Sequence, residues 1–124
     1  MNLVDSSGWL EYFADGKNAN FFAPAIENTR LLLVSPINLY EVFKRIAQQR
    51  DENAAMVAIA VMQDGMVAEL TAELAIGAAK LALELKLPMA DSVILATAQR
   101  HRATVWTQDA DFKRIVGVKY VAKG

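Results

Sequence analysis

The chain has 124 residues, 54% of them apolar and 22% charged, with a formal net charge of −1. A length of this order suits one hydrophobic core, so residues 1–124 are expected to form a single domain. Near-neutrality excludes a generally basic surface, so contact with nucleic acid would need a local cation cluster or bound metal ions.

Cysteine is absent, which excludes disulfides and thiolate–metal sites and fits a cytoplasmic setting. The longest uncharged apolar run, Ala54 to Met62, is far shorter than the ~20 residues of a membrane-crossing helix. No basic-then-apolar leader opens the chain.

Met1 to Val4 predicts a first strand that ends at Asp5. Trp9, Leu10 and Phe13 then fall at helical spacing before a Gly16 stop. A second short helix is expected over Asn20 to Asn28, begun or interrupted near Pro24. Leu31 to Val34 is a continuous apolar run, the pattern of a strand buried on both faces. After Pro36, the positions Leu39, Val42, Phe43, Ile46 and Ala47 follow the i, i+3, i+4, i+7, i+8 spacing of a helix packed on a core, with Glu41 off that stripe. Helical character resumes from Glu52 to Gln63 and closes at Asp64-Gly65, as two antiparallel helices or one bent one.

Met66 to Leu70 is a brief third strand. Thr71 opens a long helix in which Leu74, Ala78, Leu81 and Leu85 form one stripe while Ile76 and Leu83 lie elsewhere; being apolar on more than one side, it is predicted to be well buried. Leu87-Pro88 breaks that helix, Ala90 to Arg100 makes the next, Thr104 to Trp106 the fourth strand, and Val118 to Val121 a fifth. Strands alternating with helices predict an α/β fold, a three-layer α/β/α sandwich around a mostly parallel sheet of four or five strands. Trp9, Phe13, Phe21 and Phe22 concentrate the aromatic residues early in the chain and are expected to fill its core.

The acids carry the chemistry. Taken singly each has a structural explanation: Asp5 as a helix cap, Asp91 as an anion favoured at a helix start, Asp109 in an Asx turn, and Glu41 paired with Arg45 one turn on. Jointly they point elsewhere. Asp5 follows strand one, Glu41 lies just after strand two, Asp91 begins a late helix and Asp109 follows strand four, so in a parallel sheet all four converge at one edge. Two carboxylates about 4 Å apart repel by ~4 kcal/mol at an effective dielectric near 20, and a bound cation removes that liability. An all-oxygen donor set suits Mg²⁺, or Mn²⁺, rather than zinc.

At LVDSS, SPINLYEVFKR and above all MADSVILATAQRHRATVWTQDADF, the sequence resembles the PIN domain, and within it the VapC-type toxin ribonucleases of bacterial toxin–antitoxin pairs. The likeness spans essentially the full length. It implies that Asp5, Glu41, Asp91 and Asp109 are the metal-binding, catalytic acids, that Ser6 and Thr107 place hydroxyls beside them, and that Asp111 either assists through water or is structural. Serine after Asp5 replaces the more frequent threonine and leaves the hydroxyl in place.

The expected function is that of a Mg²⁺-dependent endoribonuclease toxin, hydrolysing RNA phosphodiester bonds and leaving 5′-phosphate and 3′-hydroxyl ends. The resemblance also implies inhibition by a cognate VapB-type antitoxin laid over the helices near the site, and a homodimer for which Ala54 to Met62 would supply surface. The lone histidine, His101, rules out acid–base chemistry by a histidine pair. Phosphate contacts are sought among Lys44, Arg45, Arg50, Arg100 and Arg102, with Lys113 and Arg114 foremost. The rivals are non-enzymatic: a receiver-like signalling module, although Met66 to Leu70 leads to no phospho-accepting Asp, or a PIN-like metal-binding regulatory module without catalysis.

Overall fold

The computed structural model describes residues 1–124. Five strands, β1 (Asn2–Val4), β2 (Leu32–Val34), β3 (Met66–Val67), β4 (Thr104–Thr107) and β5 (Lys119–Tyr120), form one sheet in the order β3-β2-β1-β4-β5. Every pairing is parallel, with Leu3 opposite Leu33 and Val4 opposite Trp106. Six helices connect them: α1 (Ser6–Phe13), α2 (Ala19–Glu27), α3 (Pro36–Gln49), α4 (Glu52–Met62), α5 (Ala72–Leu85) and α6 (Met89–Arg100).

The alternation of side chains along each strand separates two cores. Val4, Leu32 and Val34 point to one face, where Trp9, Phe22, Ile26, Val42 and Met62 from α1 to α4 cover them. Leu3, Leu33 and Val105 point to the other, against Ile94, Leu95 and Ala98 of α6 and the fully buried Phe112. The result is the three-layer α/β/α sandwich expected, with Trp9 and Phe22 in the core as predicted and Phe13 and Phe21 only partly buried against it. The sheet is wholly parallel, and its third strand keeps only Met66 and Val67 of the predicted run. The segment from 36 to 62 is two helices joined at Arg50-Asp51, with Asp51 capping α4. Pro24 sits inside α2 rather than at its start.

The expectation for α5 is overturned. Only Ala78 of this helix is buried, while Ile76 is 61% and Leu83 84% exposed. The physical reason is its layer. α5 packs on α6 through Ala78, Leu74 and Leu81, whereas α6 lies directly on the sheet and buries every residue from Ser92 to Ala98. Apolar residues on two sides of a helix describe its composition, not which neighbour it meets.

Candidate active site

Strands β1 and β4 are neighbours, and the chain leaves them toward opposite halves of the sheet. Parallel sheets of this kind gather ligands at the carboxyl edge beside such a switch in strand order. Asp5 leaves β1 with its backbone N–H donating to the Trp106 carbonyl at 3.0 Å and then caps α1, its Oδ1 accepting from Gly8 N–H at 3.0 Å and from Ser7 Oγ at 2.8 Å. Its Oδ2 accepts from Thr107 Oγ1 at 2.6 Å. The capping role and the site role therefore fall on the same carboxylate. Asp5 is buried, and that burial pushes its pKa up to about 6 against the lowering effect of the Thr107, Ser7 and Gly8 hydrogen bonds; the Asp109 charge adds to the rise.

At the end of β4, Thr107 works in two directions. Its hydroxyl donates to Asp5 and accepts from the Asp109 backbone N–H at 2.8 Å, so it ties the two strand exits together. Asp109 then turns the chain, its Oδ1 accepting from Asp111 N–H at 2.9 Å ahead of a short 3-10 turn, Ala110–Phe112. Asp91 arrives from the first turn of α6. The helix dipole favours an anion there by only ~0.3–1 kcal/mol, and it is overruled: burial raises the Asp91 pKa to about 8, reinforced by a hydrogen bond with Asp111 and by the charges of Asp109, Asp111 and Asp5.

Asp91, Asp109 and Asp111 each offer a carboxylate oxygen within 4.8 Å of the others. A set of oxygen ligands at this spacing, unable to ionise together without cost, fits a hard divalent cation. Asp5 and Glu41 border the same groove as Asp91 and Asp109, a concavity of about 1270 Å³. Glu41 comes from the second turn of α3 and accepts from Ser6 Oγ at 2.6 Å. The Glu41–Arg45 pair is not formed; the one salt bridge of the chain joins Arg100 to Glu73. Asp111 joins the tightest acid cluster but faces a second, smaller depression of about 430 Å³ that also holds Lys113 and Arg114. The cations that share the acidic groove are instead Lys44, Arg45, Arg50 and Lys123. His101 caps the far end of α6, ten residues and so about 15 Å along the axis from Asp91.

Two polar residues at the site were not anticipated. Asn38, fully buried, donates from Nδ2 to Ser6 Oγ at 3.1 Å. Gln108, also buried, accepts from Asn18 Nδ2 at 2.9 Å and lines the groove wall. The Ser35-Pro36-Ile37-Asn38 run carries a legible signal for the first, a helix cap followed three residues later by an amide that can close a capping box. Gln108 has no comparable sequence signature.

Residues 3–118 match the family model for the PIN domain. The chain belongs to the PIN-domain family. Among its solved structural neighbours are VapC toxins of toxin–antitoxin pairs. A toxin–antitoxin complex from Klebsiella pneumoniae is 27% identical, with TM-score 0.78 over 95% of each chain. A VapC toxin of Mycobacterium tuberculosis that cleaves the sarcin–ricin loop shares 18% identity, with TM-score 0.79 over 96% of this PIN domain chain and 98% of the toxin. A VapBC complex of Rickettsia felis bound to a fragment of its promoter DNA shares 16%, with TM-score 0.72 over 98% and 97%. No curated protein matches by sequence. Membership of the PIN family removes the receiver-like reading.

Proposed function

We propose that the chain is a VapC-type endoribonuclease toxin that hydrolyses RNA phosphodiester bonds in the presence of Mg²⁺ or Mn²⁺. The observation that carries the proposal is the convergence of Asp91, Asp109 and Asp111 within 4.8 Å, with Asp5 and Glu41 on the same groove. Asp5, Glu41, Asp91 and Asp109 are assigned as the ligand set, and the position of Asp111 beside Asp91 and Asp109 adds it as a further ligand or a support for them. A divalent ion held there would activate water and stabilise the charge that develops on the phosphate and the leaving oxygen.

The chain's own residues do the rest. Asp5 and Asp91, raised to about 6 and about 8 without the ion, would release whatever protons they still carry at the working pH as the ion binds. Thr107 and Ser6 hold one oxygen each of Asp5 and Glu41, leaving less freedom to lose on binding. Lys44, Arg45 and Arg50 border the groove from α3 and its C-terminal end and are assigned to the RNA backbone ahead of Lys113 and Arg114, which occupy the neighbouring depression. Water rather than the ribose 2′-hydroxyl attacks, giving 5′-phosphate and 3′-hydroxyl ends.

A VapB-type antitoxin accounts for the apolar wall of the same groove, where Val57 and Val61 of α4 are 67% and 38% exposed beside Leu10 and Phe13 of α1. Occupation of that wall by a partner segment would block the acids directly. A homodimer completes the proposal. The test is end-mapping of total cellular RNA after brief expression of the chain and of its Asp91→Ala variant, with purified protein assayed in Mg²⁺ and in EDTA. Metal-dependent cleavage lost in the variant is expected; cleavage undiminished by excess EDTA would sink the metal mechanism.

A further inference from the structure

Asn38 is a polar side chain with no exposure at all, and a buried amide is costly unless both ends find partners. Both do. Its Oδ1 accepts from the Ser35 backbone N–H at 3.0 Å, half of a capping box whose other half is Ser35 Oγ accepting from the start of α3. That bond determines which end of the amide is nitrogen, so Nδ2 is left to donate to Ser6 Oγ at 3.1 Å. A serine hydroxyl has one proton. With a donor already directed at its oxygen, Ser6 has that proton free for Glu41 Oε1, 2.6 Å away. The order of donation, Asn38 to Ser6 to Glu41, is thus set by the helix cap behind it.

Glu41 has no other hold. It forms no salt bridge and no second hydrogen bond, it is partly exposed, and a free glutamate side chain samples many rotamers. We infer that Asn38 is a positioning residue which, through Ser6, holds Glu41 in place as a metal ligand of the groove. This rests on reading the groove as a divalent-metal site. Partners of this kind behind a ligand typically change metal affinity by about 10–100-fold.

The competing role is a cap for α3 and nothing more, and a double-mutant cycle separates the two. Mn²⁺ affinity, read from the free ion by electron paramagnetic resonance, and the RNA cleavage rate at saturating Mn²⁺ are measured for the full chain and for Ser6→Ala, Asn38→Ala and the double variant. Each single variant is expected to bind Mn²⁺ roughly tenfold more weakly, and the double variant no more weakly than Ser6→Ala alone. Wild-type affinity in Asn38→Ala with only a lowered melting temperature overturns the inference, as do losses that multiply in the double variant.

Should Asn38→Ala fail to fold, Asn38→Asp keeps the size and the acceptor for Ser35 while replacing the donor to Ser6. Its added negative charge by itself would strengthen cation binding, so weaker Mn²⁺ binding supports the relay and equal or tighter binding overturns it. A wild-type chain that binds no Mn²⁺ overturns the site reading itself and the inference with it; a metal-binding wild type with an indifferent Asn38 overturns the inference alone.

Discussion

Thr107 is the residue on which the two strand exits depend. Its hydroxyl gives the buried Asp5 one of three donors and takes the Asp109 N–H. Thr107→Val preserves shape and removes both bonds, leaving buried polar groups short of a partner. A loss of ~1–3 kcal/mol in urea unfolding is expected, together with a tenfold or greater drop in cleavage; a valine variant with wild-type stability and rate would show the bonds to be incidental. The titration of Asp5 and Asp91 gives a second expectation. Both are raised from the ordinary 3.8, to about 6 and about 8, so between roughly pH 4 and 8 the folded metal-free protein binds more protons than the unfolded chain. Stability in EDTA must then be greatest at the acid end of that window and fall as pH rises through it, levelling above about 8. Saturating Mg²⁺ displaces those protons and flattens or reverses the slope. Urea unfolding between pH 5 and 8.5, with and without the ion, checks the sign directly.

At the scale of elements, α1 and α5 mark how far a one-dimensional pattern reaches. The start of α1 was legible because Asp5 stands between an apolar strand and an apolar helix, and the same carboxylate both caps the helix and enters the site. Gly8 shows what that helix start demands. A Cβ there would lie 2.6 Å from Phe22 Cε1 and 2.6 Å from Val4 Cγ1, both belonging to fully buried side chains. Gly8→Ala is therefore expected to cost ~1–3 kcal/mol through overpacking and to disturb the Asp5 cap with it. In contrast, Leu83→Lys on α5, at a side chain 84% exposed, should change monomer stability by no more than about 0.5 kcal/mol. The sequence pattern predicted α5 to be well buried, because hydrophobic periodicity measures what a helix offers and not whether α6 already stands between it and the sheet.

For the molecule as a whole, the acids are brought together at a cost that the rest of the fold must meet, and an ion that binds only the folded state returns stability by mass action. At a hundredfold excess over its dissociation constant that return is about 2.7 kcal/mol, enough to raise the melting temperature of a domain this size by roughly 10 degrees. Scanning calorimetry in Mg²⁺ against EDTA should show the rise in the wild type and its loss in Asp91→Ala. If Asp5→Asn retains the full shift, Asp5 is not a principal ligand.

The order of strands and helices, the parallel sheet and the placing of acids at strand exits and helix starts were all present in the sequence. Each is a local matter: runs of Val and Leu buried on both faces, caps before helices, and carboxylates just past strand ends. Tertiary structure alone decided what those residues meet. It brought Asp111 within 4.8 Å of Asp91 and Asp109, placed Lys113 and Arg114 in a separate depression while Lys44, Arg45 and Arg50 took the acidic groove, left α5 on the outside, and set Asn38 behind Ser6 and Glu41. Spacing along a chain specifies which face a residue occupies on its own element; distances across the switch between β1 and β4 depend on how separate elements pack, and no local pattern encodes them.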